Sequence, residues 1–210
     1  MSAEVDLNPE YDTAVACLEA GQHQEAEQHL RLAVQDARKG EGSEALQAEA
    51  VFLLATVLAE QKREDEAEAL FATALELRIV AYGLDDVIVG QTYGFIGAFY
   101  ANREQWPQAE AHLRYALETL EKSLDVVMAD YASSAALMAA VQRQLGDLQK
   151  ARETLIKSLD LTASSDVVAY EALRGMLIDL ADLDLLFGDM ENRQKRLHHL
   201  VQLAERRCGH

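Results

Sequence analysis

The chain has 210 residues, of which 50% are hydrophobic and 6% aromatic, so it can bury a sizeable core and is not a polar disordered chain. Its 36 acidic and 19 basic side chains give a formal net charge of −17. Such a surface repels phosphate backbones and argues against a nucleic-acid partner.

The first predicted elements are two helices with clear boundary signals. Asn8 is a good N-cap before a proline at the first helical position, which predicts a helix over Pro9–Ala20. Gly21 ends that helix, and a second helix is predicted over His23–Lys39. A glycine-rich break follows, with Ser43 as the N-cap of the third helix.

The rest of the chain repeats this plan of paired helices. Gly83 closes one pair, and Asp85 or Asp86 caps the next helix. Asp125 and Asp166 occupy comparable positions in later units. The turns inside the later pairs are predicted at residues 61–64, 103–106, 146–147 and 188–189. Apart from the two prolines, the abundance of Ala and Leu favours helix throughout.

A small–large–small pattern recurs in the second helix of each pair, at steps of 41 or 42 residues. Offsets of four and three residues place the three side chains on one helix face. The pattern comprises Ala26, Leu30, Ala33; Ala67, Phe71, Ala74; Ala109, Leu113, Ala116; and Ala151, Leu155, Ser158. Self-similarity at this period is typical of a solenoid in which stacked neighbours cover each apolar face.

The C-terminal unit departs from the pattern. Asp179 and Asp182 share one side of its first helix, and they could receive a cation or simply be exposed. Asp184 is costly to bury without a partner, so we expect it to be exposed or paired with Arg174 or an arginine of the last helix. Arg193 replaces the small residue, which predicts a polar capping helix at the end of the array.

The third unit carries the strongest family resemblance. Tyr93-x2-Ile96-Gly97-x2-Tyr100 followed by Ala109-x3-Leu113 resembles the tetratricopeptide repeat (TPR) pattern. The longer period and the Gly-Leu-Asp-Asp-Val junction at 83–87 are similar to the repeats of kinesin light chains. HEAT or armadillo arrays share the period but do not explain the paired small residues.

The resemblance implies an all-α, right-handed α-solenoid of about five antiparallel helix pairs. We expect a single domain over 1–210, with repeats at about 8–42, 43–84, 85–124, 125–165 and 166–207.

In this family the first helices line a groove that binds a protein or peptide. Carried over by position, the partner-binding residues are Tyr11, Glu49, Phe52, Thr56, Glu60, Gln91, Phe95, Asn102, Leu137, Arg143, Asp179 and Asp182. Small apolar residues in the middle and acids at the ends favour a basic, apolar segment as the ligand.

No motif for a catalytic, cofactor or metal site occurs in the sequence. We therefore expect a non-enzymatic adaptor or scaffold. The alternatives are a self-associating structural protein, a secretion-type chaperone and, supported only by the carboxylates at 179, 182 and 184, an enzyme. The N-terminus does not resemble a secretory signal, no apolar run is long enough to span a membrane, and the two cysteines are far apart, which together favour a reducing cytoplasm.

Overall fold

A computed structural model describes residues 8–39, 43–162 and 170–208, and these residues form ten α-helices and no strand. The helices are α1 (Pro9–Glu19), α2 (His23–Arg38), α3 (Glu44–Glu60), α4 (Glu64–Tyr82), α5 (Val87–Asn102), α6 (Trp106–Leu120), α7 (Leu124–Gln144), α8 (Leu148–Thr162), α9 (Tyr170–Leu186) and α10 (Met190–Cys208). A 3-10 turn, Glu121–Ser123, joins α6 to α7. The predicted all-α fold is confirmed.

Two predicted N-caps, Asn8 and Ser43, bind the backbone of the helix that follows them. The Asn8 side chain accepts hydrogen bonds from the backbone nitrogens of Glu10 and Tyr11, both at 3.0 Å. Ser43 Oγ accepts one from Leu46 N at 3.2 Å. These bonds satisfy amides that have no partner inside the helix.

The junctions after the second and third pairs refine the predicted caps. Asp86, and not Asp85, accepts a hydrogen bond from Ile88 N at 2.8 Å. Asp125 does not precede its helix, because α7 already begins at Leu124 and is kinked at Val127, where φ is −125° and ψ is 29°. Asp166 lies outside the described residues.

The tight turn inside each helix pair contains one residue with positive φ. These residues are Gly21 (73°), Lys62 (65°), Glu104 (58°), Gly146 (83°) and Gly188 (72°). They follow one another at the same 41- or 42-residue step as the buried triads. Left-handed backbone suits glycine, yet two of the five turns adopt it with a charged residue.

The helices are arranged in two compact units, residues 1–89 and 90–210. In the first unit α2 contacts both α1 and α3, and α3 packs on α4. In the second unit α6 to α9 each contact the next helix in the chain, and α7 also contacts α9. The single domain over 1–210 and its repeat boundaries stay predictions.

The predicted small–large–small triads are the packing centres of the second helices. All twelve residues are buried, and none is more than 4% exposed. Close approach of the first helix is possible because that helix also carries small residues. A Cβ added to Gly97 of α5 would lie 2.6 Å from Leu113 Cγ of α6. The alternation of small and large residues thus sets the spacing between helices.

Candidate functional site

An open apolar cleft lies between α5 and α7 in the second unit. Its volume is about 180 Å³. It is lined by Gln91, Gly94, Phe95 and Ala98 of α5 and by Asp130, Ser133, Ser134 and Leu137 of α7. Phe95 is 55% exposed, an unusual degree of exposure for a phenylalanine. A cleft of this kind can hold an apolar side chain of a partner.

Small residues and one polar pair are among the residues that line this cleft. A Cβ on Gly94 would lie 3.1 Å from Ser134 Oγ, so glycine allows α5 and α7 to approach closely there. Gln91 Nε2 donates a hydrogen bond to Asp130 Oδ2 at 2.8 Å. Asp130 is exposed and brings a carboxylate to the rim of the apolar surface.

Three of the twelve predicted residues, Gln91, Phe95 and Leu137, line the cleft together. The prediction omitted Asp130, although it lies seven residues before Leu137 and therefore on the same side of α7. It also omitted Gly94 and Ser134. Helical periodicity could have found Asp130, but no sequence signal reports the close approach at Gly94.

The other predicted residues of the second unit lie outside the cleft. Asn102 is exposed at the end of α5. Arg143 Nη1 of α7 lies 3.1 Å from Asp179 Oδ1 of α9, with both side chains partly exposed. Asp179, a candidate to bind a cation of a partner, thus forms an ion pair with an arginine of its own chain. Asp182 is exposed on α9.

In the first unit the predicted residues gather around a buried arginine of α4. Arg78 is 5% exposed, and its Nη2 lies 2.6 Å from Glu49 Oε2. Its guanidinium carbon lies 3.7 Å from the centre of the Phe52 ring. Phe52 is only 7% exposed and belongs to the core. The pKa of Tyr11 is raised, mainly by burial and secondly by the charge of Glu49.

Thr56 and Glu60, the remaining predicted residues, make contacts within the same unit. Thr56 Oγ1 donates a hydrogen bond to the backbone oxygen of Phe52 at 3.0 Å. Glu60 Oε2 lies 3.0 Å from His23 Nδ1, and both side chains are about half exposed. Glu60 is thus a polar group at the surface of this unit, whereas the Thr56 hydroxyl is engaged by its own helix.

Asp184 is neither exposed nor paired with Arg174 or the last helix. It is completely buried, and its Oδ1 lies 2.7 Å from Arg152 Nε of α8. Arg152 Nη2 also lies 2.7 Å from Asp189 Oδ2. The expectation was wrong because the compensating cation comes from the preceding helix pair. This arrangement is an internal ion pair and forms no open site.

The TPR profile matches residues 46–122 and 88–164 of the chain. Together these segments span more than half of its length. The chain belongs to the tetratricopeptide repeat family.

Solved structures share the fold of this TPR protein at low sequence identity. BtubC (BKLC) from P. vanneervenii is 18% identical with a TM-score of 0.80, over 94% of this chain and 79% of that chain. Kinesin light chain TPR-like repeats from Podosopora anserina are 18% identical with a TM-score of 0.73, over 94% of each chain. PilF from Pseudomonas aeruginosa is 18% identical with a TM-score of 0.63, over 92% of this chain and 74% of that chain. No protein of curated function matches the sequence.

TPR proteins bind protein partners, and the family is typically a non-enzymatic scaffold, which supports a general role in protein–protein interaction. Among the described residues, no group of His, Cys, Asp and Glu could hold a metal ion. None of the helices in the described part of the chain combines the length and the apolar character that crossing a bilayer requires.

Proposed function

We propose that this TPR protein is an adaptor that binds a segment of a partner protein in the cleft between α5 and α7. The observation that supports this most strongly is the half-exposed Phe95 in an apolar cleft that Gly94 and Ser134 also line. Aromatic side chains are enriched at protein–protein interfaces, and the strongest contacts there fill pockets. The adaptor adds no chemistry of its own.

The proposed ligand is a segment with an apolar anchor and a neighbouring Lys or Arg. The anchor would fill the cleft against Phe95 and Leu137, and the cation would approach Asp130. The net charge of −17 favours encounter with a basic segment. Asp182 could extend the acidic surface for a longer ligand, since it is exposed on α9.

In the first unit, Glu49 and Phe52 are engaged by Arg78 within the protein. We propose that they shape the surface of this unit and that Tyr11, Thr56 and Glu60 form a contact surface of its own, separate from the cleft. Phe52 is accordingly a poor probe of binding, because replacing it would remove core packing.

The test is affinity capture from native cell extract, comparing the wild-type chain with Phe95→Ser and Ser133→Arg. The first variant removes the anchor surface and the second fills the cleft, while both positions are exposed enough for the fold to tolerate them. Val80→Ser is the matched control, because Val80 is 69% exposed on α4. We expect a partner that both cleft variants lose and the control retains. A partner set that is the same for all four proteins would contradict the proposal.

The purified partner would then be titrated at two ionic strengths. Screening acts over roughly 8–10 Å at physiological salt, so attraction to the acidic surface should weaken as salt is raised. Affinity independent of salt would contradict the basic character of the ligand. Light scattering over a dilution series tests the alternative of self-association, which predicts a mass that rises with concentration.

A further inference from the structure

The last helix, α10, has an exposed apolar stripe in addition to its core face. Met190, Leu197 and Val201 are 55%, 41% and 53% exposed. Their spacing of seven and four residues places them on one side of the helix. Leu200 and Leu203, on another side, pack against the core cluster of α7 to α9. The helix therefore carries apolar side chains both on its core-facing side and on the exposed stripe.

The repeat register shows what normally lies on this stripe. The residues equivalent to Leu197 are Leu30, Phe71, Leu113 and Leu155, and none is more than 4% exposed. In the second unit, the first helix of the following pair contributes to this burial. Leu155 and Leu159 of α8 cluster with Met176, Leu177 and Leu180 of α9, and Leu113 of α6 clusters with Met138 and Val141 of α7. Leu197 and Val201 lie where the first helix of a following pair would pack, and no helix of the described residues covers them.

The charge of α10 differs in sign from that of the whole chain. It contains five basic and two acidic residues, whereas the whole chain carries a charge of −17. The Nε atoms of Arg193 and Arg196 are buried and have no hydrogen-bond partner within the described part of the chain. Arg193 lies four residues before Leu197 and therefore on the side of the stripe, where its positive charge favours a carboxylate on whatever covers the stripe.

We propose that this stripe is a docking site for an acidic amphipathic helix of a partner protein. The occupant would lie on α10 as α9 lies on α8, with apolar side chains over Leu197 and Val201 and a carboxylate toward Arg193. The stripe runs over about 12 residues and so about 18 Å, which about three to four turns of helix would cover. This surface is distinct from the cleft between α5 and α7.

A second copy of the chain is poorly suited to cover this stripe. First helices contact the preceding pair through positions such as Met176, Leu177, Leu180 and Leu183 of α9. The equivalent positions of α1 are Pro9, Glu10, Thr13 and Ala16, so α1 of a second copy lacks the apolar anchors. Two copies of α10 would bring together two positively charged helices.

A synthetic peptide with the sequence of α9, Tyr170–Leu186, is a direct probe. It has the apolar pattern that packs on the equivalent face of α8, and its four acids against one arginine give it a negative charge. Fluorescence anisotropy of the labelled peptide would measure binding to the full chain and to the double variant Leu197→Gln/Val201→Gln. The matched control is Leu32→Gln/Val80→Gln, which changes two exposed apolar residues on other second helices.

We expect the peptide to bind the wild type and the control equally, and the Leu197→Gln/Val201→Gln protein at least tenfold more weakly. A peptide with its four acids replaced by lysine should also bind at least tenfold more weakly at low salt. Absence of binding, or equal binding to all three proteins, would overturn the proposal. A wild-type dimer in sedimentation equilibrium that Leu197→Gln/Val201→Gln dissociates would also overturn it, because the occupant would then be a second copy.

Discussion

The ion pair between Arg152 and Asp184 places a carboxylate in the core of the second unit. The Asp184 side chain is 1% exposed and that of Arg152 is 20% exposed, so water screens the pair weakly. Hydrogen bonding to Asp184 raises the pKa of Arg152, with the charges of Asp184 and Asp189 adding to the effect. The side chains come from α8 and α9 and therefore join two consecutive helix pairs.

Removing one partner of this pair leaves a buried charge without compensation. We expect Arg152→Met to lower the free energy of unfolding by about 3–5 kcal/mol. The double change Arg152→Met/Asp184→Leu should recover most of that loss, because no charge then stays buried. Urea denaturation measures both. Lys157→Met is the control, since Lys157 pairs with Glu121 at an exposed site and should cost less than about 1 kcal/mol. Equal losses for Arg152→Met and Lys157→Met would contradict this account.

His112 makes stability depend on pH in the mildly acidic range. Its ring stacks on Tyr100 with centres 5.2 Å apart and lies 5.9 Å from Tyr93. Burial lowers the pKa of His112, whereas the unfolded chain titrates near the ordinary value of about 6.5. The unfolded state thus binds more protons below that value, and stability falls as the pH drops through 6.5 toward the folded pKa.

We expect His112→Gln to flatten the loss of unfolding free energy between neutral and mildly acidic pH. Urea denaturation at a series of pH values measures the slope. His199→Gln is the control, because His199 is exposed on α10. An unchanged slope in His112→Gln would show that other groups cause the pH dependence.

At the scale of elements, helix spacing depends on where glycine faces a large neighbour. Gly97 lies against Leu113, and an added Cβ would be 2.6 Å from its Cγ and 3.3 Å from its backbone nitrogen. Gly175 in α9 is also helical, but no atom of the described part of the chain lies within 4 Å of its added Cβ. The same residue type therefore has a packing role in α5 and none in α9.

Replacing these two glycines with alanine should change the free energy of unfolding in opposite directions. Gly97→Ala should destabilise the protein by about 1–3 kcal/mol, because Leu113 and the backbone of α6 must shift. Gly175→Ala should stabilise it by about 0.5–1 kcal/mol, because alanine is the better helix former. Thermal and urea unfolding of both variants measure the difference. A stabilising Gly97→Ala would mean that α5 and α6 can separate without cost.

At the scale of the whole molecule, each unit is held together mainly by contacts between successive helices. Stability of such arrays is close to a sum of local terms and contacts between neighbours. In the second unit α10 packs on α9, and its other apolar side is exposed. This helix therefore has fewer covering contacts than α7 or α8.

Native-state hydrogen exchange should show this gradient along the second unit. We expect amides in the middle of α10 to exchange faster than those in the middle of α8, because local opening there exposes less buried surface. Mass spectrometry on peptic fragments measures both helices in one experiment. Equal protection would indicate that α10 is covered in solution.

The sequence predicted the helices well because their signals are local and repeated. The buried triads, the N-caps at Asn8 and Ser43 and the left-handed turn at Gly146 depend on residues within a few positions of each other. The candidate site was predicted only in part. Phe52 and Phe95 were given the same role, yet one is 7% and the other 55% exposed.

The low exposure of Phe52 is caused by residues that lie far from it in the chain. Arg78 and Phe71 of α4 pack against Phe52, with the phenylalanine rings 5.9 Å apart. Asp184 likewise meets Arg152, 32 residues earlier. Helix positions, turns and buried faces follow from short-range periodicity and backbone preference, so the sequence alone was sufficient for them. Which side chains stay exposed, and which charges are neutralised, depends on packing between distant helices, and only the tertiary structure decides it.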